Sequence, residues 1–377
     1  MTALAASAAA FCLAAAALQG ASLALVAIRL RRRESAAAPA QNPAVSLLRP
    51  VCGLENKFEL AIGSSFALDY PDFELLFCVE SPQDAAIGPL RRAIAAHPKV
   101  EARILVGPCD LSRNPKLNNL VKGWRAARHV WIAMADSNVA LPPDYLQRLL
   151  ARWTPRTGLV SSPPFGDQPE NFWAQLECAF LNTYQARWQL AADELGLGFA
   201  QGKTLFWRRD ILEAAGGIEA LAREAAEDAA ATKIVHAAGL KVRLARAPFA
   251  QPLGRRGLAE VWARQLRWAR LRRATFPAFF APELLAGGFF PLGAAWALAA
   301  SGHWPVAVAL GLTIAWYGGE LALAGLARWP LGLASLPALL ARDLTLPALW
   351  ACAWAGDGFV WRGNAMQAAP STPAPGG

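Results

Sequence analysis

The sequence predicts an α/β fold built on a parallel sheet and attached to membrane helices. Three observations lead there. Between residues 45 and 136, short apolar runs of strand length alternate with helix-like stretches, the pattern of parallel strands joined by crossover helices. Asp84 and Asp136 follow two of those runs, at the edge where such sheets hold ligands. Long stretches without charge flank this region on both sides.

The totals fit that mixture. In 377 residues, 55% are hydrophobic and only 17% charged, too apolar for an ordinary soluble enzyme and too polar for a transporter. The formal net charge of +9 suits anionic lipid or a phosphate-bearing substrate. No basic stretch interleaves with aromatics, so nucleic acid is not the expected partner. The six cysteines form no CxxC pair and the four histidines are widely spaced, which gives no Cys/His zinc pattern.

Residues 1–28 carry no charge and, as a helix, would reach roughly 40 Å, longer than a bilayer core. The absence of a basic start argues for an uncleaved anchor rather than a signal peptide. RLRRR (Arg29 to Arg33) follows, which places this end on the cytoplasmic side. A small-residue linker, Ser35 to Ala44, leads to the expected strands Val45 to Val51, Phe73 to Glu80, Glu101 to Gly107 and His129 to Asp136. Helices are expected over Lys57 to Leu68, Asp84 to His97 and Leu117 to Arg128.

After Ala259, EVWARQLRWARLRR reads as a basic, Trp-bearing helix suited to the membrane interface, within an amphipathic segment spanning 258–280. Leu284 to Gly319 has no acidic or basic side chain except His303 and turns at SGHWP. The second span carries Glu320, which is costly to bury and should face a partner or an interface. Leu331 to Gly356 is broken by Arg342 and Asp343 and reads as interfacial or re-entrant, completing a C-terminal membrane region over 284–356. Arg362 then sits on the cytoplasmic side, and residues 367–377 form a disordered tail.

Four polar constellations could carry chemistry. Asp84 can accept bonds from a base or ribose, or simply cap a helix. SRNPKLNNL offers Lys116 and Asn118 at a turn, for a ligand or for an Asx turn. Asp136, in MADSN, can hold a hard divalent cation on a diphosphate, or cap a strand end; Asn138 stands where a second acid would strengthen the metal reading. AREAAEDAA brings Glu227 and Asp228, a general base or a dipole-favoured helix start. Forty residues on, Arg264 and Arg267 lie one turn apart beside Trp268, a geometry for gripping pyrophosphate.

Their order, Asp84, Asp136, Glu227-Asp228, then RQLRW, resembles the D, D, D, (Q/R)xxRW series of family-2-like glycosyltransferases. VSLLRPVCGLE, DYPDFELLFCV, NPKLNNL, DSN, GFAQGKTLFWRRDIL, AEDAA and LRW resemble the ceramide glucosyltransferases, family 21, over about Val45 to Pro282. The resemblance implies a bacterial member with a Rossmann-like GT-A domain over 45–257, binding a UDP-sugar and inverting the anomeric centre. It implies Asp228 as catalytic base. Asp84, Lys116, Asn118, Asp136, Arg264, Arg267 and Trp268 would bind the donor, with Mg²⁺ or Mn²⁺ on Asp136. Gln185, in NTYQARW where animal members carry a His, and Glu227 are assigned to the acceptor region.

The expected reaction is transfer of a sugar, glucose from UDP-glucose foremost, to a membrane lipid hydroxyl, ceramide foremost. Diacylglycerol, a hopanoid-pathway lipid and a non-catalytic scaffold are the alternatives. The expected setting is a bacterial inner membrane, with the catalytic domain cytoplasmic.

Overall fold

The computed structural model describes residues 2–32, 42–361 and 364–368. Most of the linker expected over Ser35 to Ala44, together with Arg33, Arg362 and most of the tail, lies outside the described residues.

Helix α1 (Ala3–Arg31) leads to a first run of alternating elements: β1 (Val45–Val51), α2 (Phe58–Gly63), β2 (Phe73–Val79), α3 (Ile87–Ala96), β3 (Glu101–Val106), α4 (Pro115–Ala126) and β4 (Trp131–Ala135). All four strands are parallel where they pair, with β1 between β2 and β4. β1 is buried along its whole length, as a strand covered on both faces must be. Alternate side chains go to opposite faces. Leu47, Leu75 and Phe77 join one core with α2 and α3; Leu48 and Leu76 join another with Leu117, Leu120 and Trp124 of α4.

The sheet is larger and more mixed than the sequence patterns indicate. After α5 (Tyr145–Leu150) come β5 (Thr157–Ser161), β6 (Pro164–Pro169), α6 (Phe172–Ala179), a π-helical stretch (Phe180–Ala186), α7 (Arg187–Glu194), β7 (Thr204–Arg208), α8 (Arg209–Ala214), α9 (Glu227–Ala237), β8 (Lys241–Leu244) and β9 (Phe249–Gly254). The seven-stranded order is β3-β2-β1-β4-β7-β5-β8, with β7 antiparallel to both neighbours. The expected parallel pairing holds for β1 to β4, and the later strands add an antiparallel member. β6 and β9 pair separately and lead the chain out of the domain.

The rest is helical: α10 (Leu258–Thr275), α11 (Pro277–Phe280), α12 (Phe289–Ala300), α13 (Val306–Ala327) and α14 (Ser335–Trp354), then a hairpin of β10 (Gly358–Trp361) and β11 (Asn364–Gln367). Among the described residues three segments are long and apolar enough to cross a membrane: Ala3–Arg31, Pro277–Ala300 and Val306–Ala327. Ala5, Ala9 and Cys12 of α1 pack on Ala295 and Leu298 near the end of α12 and on Ala309 near the start of α13. Val26 packs on Leu323 and Ala324 at the other end of α13. Helices α1 and α13 therefore run parallel and α12 antiparallel to both. Small residues allow such close contact. A Cβ at Gly319 would come within 2.8 Å of Leu23 Cδ1, so a larger residue there would require the Leu23 side chain to move.

Arg342 and Asp343 do not interrupt the last helix. Both are buried in protein, and α14 runs through them against α6 and α10. The sequence shows an interruption because it shows two charges; the fold supplies their partners. Arg342 pairs with Glu320 at 2.7 Å and with Asp343 at 2.8 Å. Glu320 also accepts from Gln19 at 3.0 Å, and Asp343 from Gly288 N at 2.9 Å and the Tyr317 hydroxyl at 3.1 Å.

Candidate active site

The site begins with local capping. Asn114 closes the start of α4 by accepting from the Lys116 and Leu117 amides at 3.0 and 3.2 Å, with Pro115 in the first turn. This fixes Lys116 in the first turn of the helix, at the sheet edge. Its ammonium meets Asp136 Oδ1 at 2.7 Å and Glu227 Oε1 at 2.6 Å, and donates to the Gly202 carbonyl. Asp136 sits just past β4. The antiparallel pairing of β4 with β7 brings Lys203 beside it, and Lys203 Nζ lies 2.9 Å from Asp136 Oδ2.

Four strongly charged groups thus share one nearly buried edge. Lys203 also donates to Asn138 Oδ1 at 2.9 Å, whose amide donates to Glu55 at 2.7 Å. Asn114 donates to the other oxygen of Glu227 at 2.7 Å. Gly202 lies in the middle: a Cβ there would come within 2.7 Å of Glu227 Oε1 and 3.1 Å of Lys116 Nζ.

The electrostatics follow from burial set against pairing. Burial opposes ionisation of Asp136, but Lys116 and Lys203 outweigh it and hold the carboxyl well below its usual range. Burial likewise opposes the charge on Lys116, yet Asp136 and Glu227 raise its pKa. Lys203 goes the other way: burial, helped by the nearby Arg264, lowers it despite Asp136 and Glu55. Asp228 differs from all of these. Burial and then the Glu227 charge push its carboxyl up to about 6, although Lys116 and the Gly202 and Ala229 amides oppose them. Those amides donate to it at 2.7 and 2.8 Å. A carboxylate so placed is poised to take a proton near neutral pH.

Other residues singled out in the sequence are distributed around this edge. Asp84 accepts from Gly53 N at 2.9 Å and from Ala86 N at 2.8 Å, tying the loop after β1 to the loop after β2. Asn118 is engaged with its own loop, accepting from Ser112 N at 2.9 Å and donating to Ser112 O at 2.8 Å. Arg264 is gripped by the fully buried Glu177, which also lies 3.3 Å from Arg256. Burial works against the Arg264 charge, but Glu177, Glu55 and Glu260 raise its pKa. Arg267 is half-buried on the same helix. Trp268 packs against Ala174, Cys178, Leu181 and Leu253. Gln185 stands apart from Glu227, bonding to Gln265 at 2.8 Å in a cleft between the π-helical stretch and α10.

Sequence reasoning passed over Lys203, Glu55, Asn114, Gly202 and Glu177 as site residues. Asn114 had a signal, since Asn before Pro at a helix start is a cap pattern. Lys203 had none, because only strand pairing brings it to Asp136.

Among the described residues no three His, Cys, Asp or Glu side chains gather as a cation cage. Asp136 and the Asn138 amide oxygen form an all-oxygen pair of the kind Mg²⁺ or Mn²⁺ accepts when substrate phosphates and water complete the shell. The residues fit such an ion, provided one ammonium leaves Asp136 when it binds.

The seven-stranded sheet and its edge define a GT-A type nucleotide-sugar fold. A solved mannosyltransferase of Pyrobaculum calidifontis, in complex with GDP-Man and Mn²⁺, shares it with a TM-score of 0.53, at 19% identity, covering 92% of this chain and 97% of that one. The sequence profile of Glycosyl transferase family 21 matches residues 9–374, and the chain belongs to that family. Ceramide glucosyltransferase 1 of Caenorhabditis elegans is 30% identical over 64% of this chain and 53% of its own length. Ceramide glucosyltransferase 3 of the same organism is 26% identical over 87% and 73%. The chain thus matches about half the length of the first of these relatives.

Proposed function

We propose that this chain is an inverting glycosyltransferase that moves glucose from UDP-glucose to the primary hydroxyl of ceramide or a closely related membrane lipid, giving a β-glycoside. One observation supports it above the rest: Asp228, with a carboxyl pushed up to about 6, stands beside an edge carrying Lys116, Asp136 and Lys203.

In this reading Asp228 takes the proton of the acceptor hydroxyl as that oxygen attacks the anomeric carbon. Lys116, Lys203 and Arg264 offset the charge growing on the departing diphosphate. Asp136, with Asn138, would hold Mg²⁺ or Mn²⁺, which supplies Lewis-acid stabilisation of the same oxygens. Asp84 positions the nucleotide end by linking the two loops that flank it, and Asn118 keeps the Lys116 loop in shape. Arg267 and Trp268 line the diphosphate and acceptor side of α10. Gln185 belongs to the acceptor side, whereas Glu227 serves the reaction by anchoring Lys116 and raising Asp228.

We place the chain in a bacterial inner membrane, with the catalytic domain cytoplasmic. The arginines at the end of α1 and the Ser301 to Pro305 turn at the opposite end of the helices support that orientation.

The test uses membranes carrying the full chain, UDP-glucose, Mg²⁺ or Mn²⁺, and ceramide. The wild type is expected to form a β-glucosylated lipid, and Asp228→Asn to lower the rate by roughly 10²–10⁴-fold. Equal rates would remove Asp228 as base. No product with UDP-glucose, UDP-galactose, UDP-glucuronic acid or UDP-N-acetylglucosamine, on ceramide, diacylglycerol or total lipid, would overturn the assignment.

A further inference from the structure

Two lysines hold Asp136, and they hold it differently. Lys116 lies 2.7 Å from Asp136 Oδ1 and 2.6 Å from Glu227 Oε1, and donates to the Gly202 carbonyl as well. Lys203 lies 2.9 Å from Asp136 Oδ2 and 2.9 Å from Asn138 Oδ1. Glu55 accepts from the Asn138 amide nitrogen at 2.7 Å, which turns the amide oxygen to that point. Asp136 and Asn138 are the donors that fit Mg²⁺ or Mn²⁺. The Lys203 ammonium therefore bridges both side chains of the cation's seat, and it carries the same sign of charge.

Ammonium and ion cannot share the seat. Mg²⁺ binds its oxygens at about 2.0–2.1 Å, so an ion on this pair would lie against the ammonium, and like charges repel strongly at a nearly buried edge. Lys116 need not leave, because Glu227 and Gly202 still hold it. Lys203 is the one in the way. Its backbone is pinned, since Asp136 N donates to the Lys203 carbonyl at 3.2 Å, but a lysine carries its charge on a flexible four-carbon stem. Asp136 keeps 20% of its side-chain surface exposed, so an ion can reach it.

We infer that Lys203 is a built-in competitor for the divalent cation: it fills the seat on Asp136 and Asn138 in the free protein and yields it when a nucleotide diphosphate offers its ammonium other oxygens. The inference rests on the reading above that places Mg²⁺ or Mn²⁺ on these two residues, and it adds what keeps the ion out until the donor arrives. Lys203 then acts as a positioning residue that couples entry of the ion to entry of the nucleotide.

The test measures ion binding, with no lipid acceptor and no turnover. Full-length protein in phosphatidylcholine nanodiscs is titrated with Mn²⁺ alone, and loss of the free-ion electron paramagnetic resonance signal is read against empty nanodiscs. Lys203→Met should bind Mn²⁺ at least tenfold more tightly than the wild type, the factor expected when the lysine leaves its seat a tenth of the time or less. Lys203→Ala should do the same with the smallest side chain. Both variants leave Asp136 paired with Lys116, and the melting temperature selects the one that is read. Adding Asp136→Asn or Asn138→Ala should abolish the gain. With UDP present, read against a protein-free UDP blank, Mn²⁺ affinity should rise by a larger factor in the wild type than in the variant, because only there does the diphosphate relieve a competitor. Equal Mn²⁺ affinity in the wild type and a folded variant, a gain that survives Asn138→Ala, or equal UDP factors would overturn the inference. If sugar transfer to lipid fails while Mn²⁺ binding depends on Lys203, Asp136 and Asn138 in this way, the competitor stands and the proposed reaction falls. If transfer succeeds while Mn²⁺ affinity ignores Lys203, the inference alone falls.

Discussion

Two of the buried ionic networks have similar composition and opposite character. At the sheet edge, Lys116, Lys203, Asp136 and Glu227 keep 7–20% of their side-chain surface exposed. Among the helices, Glu320, Arg342 and Asp343 keep only 1–2%. The second network is closed: its oxygens meet Gln19, Gly288 N and Tyr317, and Arg342 also donates to Thr183 at 2.9 Å. The first leaves Asp228 destabilised as a charge beside Glu227. A sealed network fixes helices in place, whereas one left open and partly frustrated can exchange partners with a substrate.

The comparison breaks most sharply if charge is removed from the sealed network. Arg342→Leu strands Glu320 and Asp343, and should cost about 3–5 kcal/mol of stability. Thermal melting in detergent reads this out, and adding Glu320→Gln and Asp343→Asn should restore most of it. The open network should respond in activity instead. Gly202→Ala forces Glu227 or Lys116 to shift, and should reduce kcat/KM by on the order of tenfold to a hundredfold with little change in melting temperature.

Titration sharpens the contrast further. Asp228 must be deprotonated to act, so kcat/KM should fall tenfold per pH unit below about 6 and level off above it. Because folding raises this pKa, the group favours the folded state fully below its ordinary value of 3.8, and that contribution is lost as pH rises through about 6. The smallest effect is expected from Glu227→Gln. Removing the neighbouring negative charge should move the acidic limb to lower pH, seen in the same rate profile.

Much of this was legible in the residues. The strand at Val45–Val51 is visible as a mainly apolar run, the mark of a strand covered on both faces, although it also buries Ser46 and Arg49. The strand ending at Asp136 is visible for the same reason, and it leads directly to an acid at the ligand edge. The order Asp84, Asp136, Asp228, RQLRW pointed to the family-2-like glycosyltransferases, and the longer motifs around it pointed to family 21. The charge on Glu320 announced that a partner must exist, because an unpaired carboxylate is not stable at such a depth.

What the chain alone settled, then, were the properties that depend on neighbours in sequence: periodicity, caps, apolar length and motif order. The tertiary structure decided those that depend on distant segments meeting. Lys203 reaches Asp136 only because β7 runs antiparallel to β4, nearly seventy residues away. Arg342 becomes a partner rather than a break because α13 and α14 place Glu320 opposite it. Local patterns carry no information about which distant group will lie within 3 Å, and at that range the charge of a buried side chain is decided.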